Sequence, residues 1–117
     1  MEKNWVRVAA ESEIGEKIRP FQVGRKKIAL ARLEGELYAF DGLCPHVAGP
    51  MHRGEVQGTI VTCPLHAWRF DLKQNGREIH DYRPLETYAL RVQQGDIYVE
   101  LDQSGPVTAL PHRPCGN

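Results

Sequence analysis

Apolar residues recur along this chain in short stretches of alternating polarity, broken by Gly, Pro, Asp or Asn every eight to twelve residues or so. Trp5–Val8 alternates as a half-buried strand does. Ile18–Val23 and Lys27–Leu33 read the same way on either side of Gly24-Arg25. Glu34-Gly35 marks a turn into a partner strand at Leu37–Phe40, and further strands are expected at Thr59–Thr62, Trp68–Phe70, Thr87–Val92 and Ile97–Leu101. Gln94-Gly95-Asp96 is a hairpin signal, since Gly tolerates φ > 0. Lys73-Gln74-Asn75-Gly76 is a similar turn. The only helical feature expected is a single turn near Glu11–Ile14, because no window keeps a helical period for three turns. Many short strands with frequent turn residues predict an all-β chain, an antiparallel β-sandwich or small barrel. That domain is expected over residues 1–103; Gly105, Pro106, Pro111, Pro114 and Gly116 thin the pattern from Ser104, so 104–117 reads as a flexible tail.

A length of 117 residues suits one domain. Lys+Arg 15 against Asp+Glu 15 leaves no net charge, which argues against a nucleic-acid partner, normally met by a strong Lys/Arg excess. No apolar run approaches the ~18 residues of a membrane span, and Met-Glu-Lys-Asn-Trp at the start has no secretory character. Three cysteines in such a chain do not make a disulfide framework. The expectation is a single-domain protein of the reducing cytoplasm, with no membrane association.

The rhythm breaks between Leu43 and Ala67. Cys44-Pro45-His46 is followed, after residues 47 to 62, by Cys63-Pro64-Leu65-His66, so two Cys and two His fall in two short loops around one strand. Thiolate and imidazole together suit zinc, iron or an iron–sulfur cluster and fit Mg or Ca poorly. Zinc sites of this composition usually pair two Cys in one knuckle and two His on a helix. Here each loop offers one Cys and one His, a symmetry better suited to a binuclear centre to which each loop gives its Cys at one metal and its His at the other. Pro45 and Pro64 stiffen both loops directly after the cysteines, and Gly49-Pro50 gives the first a rigid exit.

These strings, with Ala67-Trp68-Arg69-Phe70-Asp71 after the second, resemble the Rieske iron–sulfur family, and the resemblance covers roughly Trp5 to Leu101. It implies a Rieske-like antiparallel β fold with a cluster-binding subdomain of two loops. It also implies one [2Fe–2S] cluster, held by Cys44 and Cys63 at one iron and by His46 and His66 at the other. Ala67 departs from the pattern, standing where most members carry Gly; if the position needs φ > 0, alanine costs about 1 kcal/mol there. The implied function is that of a one-electron carrier without a catalytic site of its own, passing electrons from an NAD(P)H-dependent flavin reductase to a terminal oxygenase. An alternative is the small subunit of an NAD(P)H-dependent assimilatory nitrite reductase, partnered with its large subunit. The Cys63–Asp71 string and the Leu85–Tyr98 ending look closer to that type, while some of its members have lost the ligands that this chain keeps. A zinc-stabilised binding module is a distant third reading.

Other candidates read more plainly. Cys115 and His112 lie in the tail, His52 is a loop residue beside a slot that His46 already fills, and His80-Asp81 lacks a nucleophile. Trp68 and Phe70 alternate on a strand and are expected to pack beneath the cluster. Arg25-Lys26-Lys27 reads as a solvated charge cluster at a turn. Respiratory members of the family bridge the two loops with a disulfide and offer Ser and Tyr hydroxyls to the sulfurs; the corresponding positions here are Gly49, Leu65, Trp68 and Phe70, none of which supplies either. Rieske centres span about −150 to +300 mV. A spectroscopic redox titration is therefore expected to place this one toward the lower end; a value above about +100 mV would contradict the reading.

Overall fold

The computed structural model describes residues 4–45, 50–65, 67–101 and 106–109. In chain order the strands are β1 (Asn4–Ala10), β2 (Arg19–Val23), β3 (Lys26–Leu33), β4 (Glu36–Asp41), β5 (Glu55–Gln57), β6 (Ile60–Thr62), β7 (Arg69–Asp71), β8 (Arg77–Glu78), β9 (Thr87–Tyr88), β10 (Leu90–Gln93), β11 (Asp96–Leu101) and β12 (Val107–Ala109). No α-helix interrupts them among the described residues; the turn expected near Glu11–Ile14 is a 3₁₀ turn at Glu11–Glu13. The antiparallel all-β expectation holds. The strands make three sheets, ordered β1-β11-β10, β12-β2-β3-β4-β9 and β5-β6-β7-β8.

Turn chemistry sets the hairpin registers. Gln94 and Gly95 both take positive φ, 52° and 81°, as a two-residue turn between right-twisted strands requires. They pair Gln93 with Asp96 and carry the register on to Leu90 and Val99. β11 then alternates cleanly, with Ile97, Val99 and Leu101 buried and the residues between them half-buried.

The central strand departs from simple alternation. In β3, Ile28 and Leu30 belong to one apolar core with Phe21, Val23, Ile97 and Val99, while Ala29, Ala31 and Leu33 belong to a second with Phe40, Met51, Val61 and Phe70. Both faces of β3 are therefore buried, and its small alanines admit the elements of the second core. That second core carries the sheet β5-β6-β7-β8 and the two Cys-bearing segments.

Two boundaries also differ from the pattern reading. Thr87–Val92 is two strands: β9 pairs with β4, and β10 pairs with β11 in another sheet. The crossing falls at Ala89, whose carbonyl accepts the Glu100 N–H at 2.9 Å. Within the segment read as a tail, Val107–Ala109 forms β12 on the edge of β2, with Val107 packed against the first core. Flanking Pro and Gly hid a strand too short to show a period. Ending the chain after Gln103 should lower the unfolding free energy by about 1–2 kcal/mol, from the lost burial of Val107 and its neighbours. Denaturant melts of the two lengths check this; coincident midpoints would contradict it.

Candidate metal centre

The first Cys-bearing segment leaves β4 through Asp41. One oxygen of its carboxylate accepts the Leu43 N–H at 3.0 Å. Gly42 N–H donates to the Lys27 carbonyl on β3, and Met51 N–H donates to the Gly42 carbonyl, both at 3.0 Å, so the loop is tied at its base. Burial pushes the Asp41 carboxyl above its ordinary range, an effect opposed by the Leu43 N–H and by Lys26. The second segment follows β6 and closes on itself. Cys63 N–H donates to the Trp68 carbonyl at 2.8 Å, and Ala67 N–H donates to the Cys63 carbonyl at 3.1 Å.

Gly54 brings the two segments together. Its φ of −75° is ordinary, so space and not conformation demands glycine: a Cβ there would collide with the Thr62 carbonyl, one residue before Cys63. Cys44 and Cys63 consequently lie in one apolar group, 2% and 1% exposed, among Met51, Val61, Phe70 and Leu85. Neither forms a disulfide. Two thiols gathered in apolar surroundings suit a soft-metal centre, because the cost of burying thiolate charge is offset by coordination. His46 and His66 lie outside the described residues, as do His112 and Cys115. The structure thus brings together the cysteine half of the predicted set. Phe70 is fully buried in the apolar group that holds both cysteines, and the partly buried Trp68 packs against that group.

A third segment, missed in the sequence, flanks the same end. Glu78 closes β8 and is 1% exposed; one oxygen of its carboxylate accepts the His80 N–H at 2.6 Å and the Tyr82 N–H at 3.2 Å. Arg77 and Asp81 form a two-pronged ion pair, and the guanidinium holds the Asp81 carboxyl below the usual carboxylate range. Asp81 is thereby engaged with Arg77, and the imagined His80-Asp81 acid–base pair is not formed. The Tyr82 ring lies 5.2 Å from that of Trp68, and an Arg83 Nη donates to the Pro45 carbonyl at 3.4 Å. This segment therefore touches both Cys-bearing loops. A lone buried carboxylate before a loop has no sequence signature beyond its acidity.

Residues 4–89 match the model of the Rieske [2Fe–2S] domain. The chain belongs to this family. The ferredoxin component of the naphthalene 1,2-dioxygenase/salicylate 5-hydroxylase systems of a Ralstonia species is 32% identical over 105 residues, covering 87% of this chain and 100% of that protein. The naphthalene 1,2-dioxygenase ferredoxin component of Pseudomonas putida is 40% identical over 104 residues, covering 86% of this chain and 99% of the relative. Among solved structures, the ferredoxin of carbazole 1,9a-dioxygenase from Nocardioides aromaticivorans IC177 superposes with a TM-score of 0.73 at 26% identity, over 82% of this chain and 96% of that one.

Family membership assigns the metal as a Rieske [2Fe–2S] cluster, and the paired buried thiols fit its sulfur-ligated iron. The structure also answers the question of Ala67: its φ is +63°, the left-handed value that closes the Cys63–Trp68 loop. Alanine bears a cost of about 1 kcal/mol there that glycine avoids. Ala67→Gly is expected to raise stability by up to about that amount and to slow loss of the visible cluster bands in denaturant; a less stable variant would show that the alanine methyl packs favourably.

Proposed function

We propose that this protein is a Rieske ferredoxin that takes one electron at a time from an NAD(P)H-dependent flavin reductase and delivers it to the terminal oxygenase of a ring-hydroxylating system. The observation that carries this reading is the near end-to-end match to ferredoxin components of naphthalene dioxygenase systems, covering 87% of this chain and all of the Ralstonia protein. The bound cluster supplies a one-electron couple. We assign Cys44 and Cys63 to one iron and His46 and His66 to the other. The chain's own part is mechanical and dielectric. Phe70, Val61 and Met51 enclose the thiols, all fully buried, so that little water reorganises around them when charge changes. The closed Cys63–Trp68 loop and the Gly54 contact fix the backbone that brings the two thiols together. We place the exchange in the cytoplasm, where thiols stay reduced; among the described residues no helix is long and apolar enough to cross a membrane.

Anaerobically reduced holoprotein mixed with the oxidised oxygenase of a naphthalene dioxygenase system should lose its reduced spectrum as the oxygenase gains one electron per ferredoxin. Adding the cognate flavin reductase, NADH and naphthalene should give hydroxylated product only when the ferredoxin is present. Reduction of a sirohaem nitrite reductase, with none of the oxygenase, would overturn the reading. Cys63→Ser and His66→Ala are each expected to abolish the Rieske spectrum; an intact spectrum in either would refute that ligand.

A further inference from the structure

Val56, Val61, Phe70 and Glu78 stand opposite one another in succession across β5, β6, β7 and β8. Residues directly opposed on neighbouring antiparallel strands present their side chains to the same face of the sheet. Val61 and Phe70 turn theirs into the apolar group that holds Cys44 and Cys63. The next position in the row is a carboxylate, 1% exposed, and Glu78 is the one buried charged side chain among the described residues. The row thus carries a formal negative charge onto the thiol-bearing side of this sheet.

The surroundings of Glu78 hold that charge without cancelling it. One of its oxygens accepts the backbone N–H groups of His80 and Tyr82. Such donors satisfy a carboxylate through their dipoles and bring no opposite charge. Arg77, the cation beside it in the chain, is engaged with Asp81, and among the described residues no cation pairs with Glu78. Arg69, Arg77, Asp81 and Arg83 are all exposed, so water and salt screen them. Glu78 is shut off from both. Burying a carboxylate is costly, and its hydrogen bonds to the backbone could equally be made by a neutral amide.

We propose that Glu78 sets the reduction potential of the metal centre: its buried charge opposes the arrival of an electron beside Cys44 and Cys63 and so lowers the potential. The step concerned is a one-electron reduction in which no bond forms or breaks and no proton moves. The reduced state holds one more negative charge than the oxidised state, and a fixed carboxylate therefore disfavours it more. At an effective dielectric constant of about 20 and a separation on the order of 10 Å, Coulomb's law makes this about a tenfold effect on the equilibrium between the two states. Glu78 acts through space from β8, separately from the hydroxyls that Trp68 and Phe70 do not offer. The inference rests on the cluster that family membership supplies and is independent of which protein gives or takes the electron.

The test is a spectroscopic redox titration of holoproteins at one neutral pH. Glu78→Gln keeps the size of the side chain and an oxygen able to accept both N–H groups. It should shift the equilibrium about tenfold toward the reduced state, a rise of about 59 mV for one electron. Asp81→Asn removes the same charge from the same loop at an exposed position, and should shift it less than twofold. Raising NaCl should leave the Glu78→Gln difference in place and erase any difference made by Asp81→Asn. A purely structural Glu78 would instead lower stability with the potential unmoved. A Glu78→Gln potential at or below that of the wild type, or a shift no larger than that of Asp81→Asn, overturns the proposal. Should Glu78→Gln not take up the cluster, Glu78→Met is titrated in its place; failure of both to take it up assigns Glu78 to folding and likewise overturns the proposal. Electron delivery to an acceptor other than an oxygenase would refute the functional reading and leave these potentials as they are.

Discussion

Between Ile28 and Ala31, β3 has no solvent face. Ile28 and Leu30 pack into the core shared with β11, while Ala29, Ala31 and Leu33 pack into the core that holds Cys44 and Cys63. A strand enclosed on both sides cannot shift register by one residue without exchanging its two sets of side chains, and here the sets differ in size. Ile28 and Leu30 on one side, against Ala29 and Ala31 with Leu33 on the other, fix which face admits the metal-binding end. The first Cys-bearing loop is tied directly to this wall, through Gly42 N–H on the Lys27 carbonyl. The position of the metal centre is thus inherited from packing that begins in the middle of the main sheet.

Against that wall, the metal-binding end is assembled from three segments in contact with one another. Gly54 abuts the Thr62 carbonyl, the Cys63–Trp68 turn closes on itself, and Arg83 reaches the Pro45 carbonyl. Such contacts tolerate little displacement, because close-packed interiors transmit small shifts instead of absorbing them. For an electron carrier that rigidity is useful: a site that keeps its geometry when charge arrives has less to reorganise. The left-handed backbone at Ala67 and the buried carboxylate of Glu78 are local costs accepted in that cause.

Much of this was legible in the residues. Gln94-Gly95 announced a hairpin because few residues other than Gly accept φ near +80°, and the hairpin formed there. The two Cys-Pro loops stood out because thiol and imidazole are rare neighbours without a metal to justify them, and the thiols do meet in one apolar group. Leu65 was visible as an apolar residue in a loop. Glu78 was not visible, since one acid among ordinary charges acquires meaning only when its oxygen is found beneath two N–H groups. β12 was obscured for a related reason: three residues set between Pro106 and Leu110-Pro111 have no period of their own and become a strand because β2 offers an unpaired edge.

Local chemistry therefore determined the class of the protein, the turns and the two Cys-bearing loops, since each depends on residue types and short spacings that no distant contact can alter. Tertiary structure alone decided which segments meet. It split Thr87–Val92 between two sheets, buried both faces of β3 and brought the 77–84 loop onto both Cys-bearing loops. Those outcomes depend on contacts between residues tens of positions apart, and the alternation of polar and apolar residues within any one stretch contains no record of its partner.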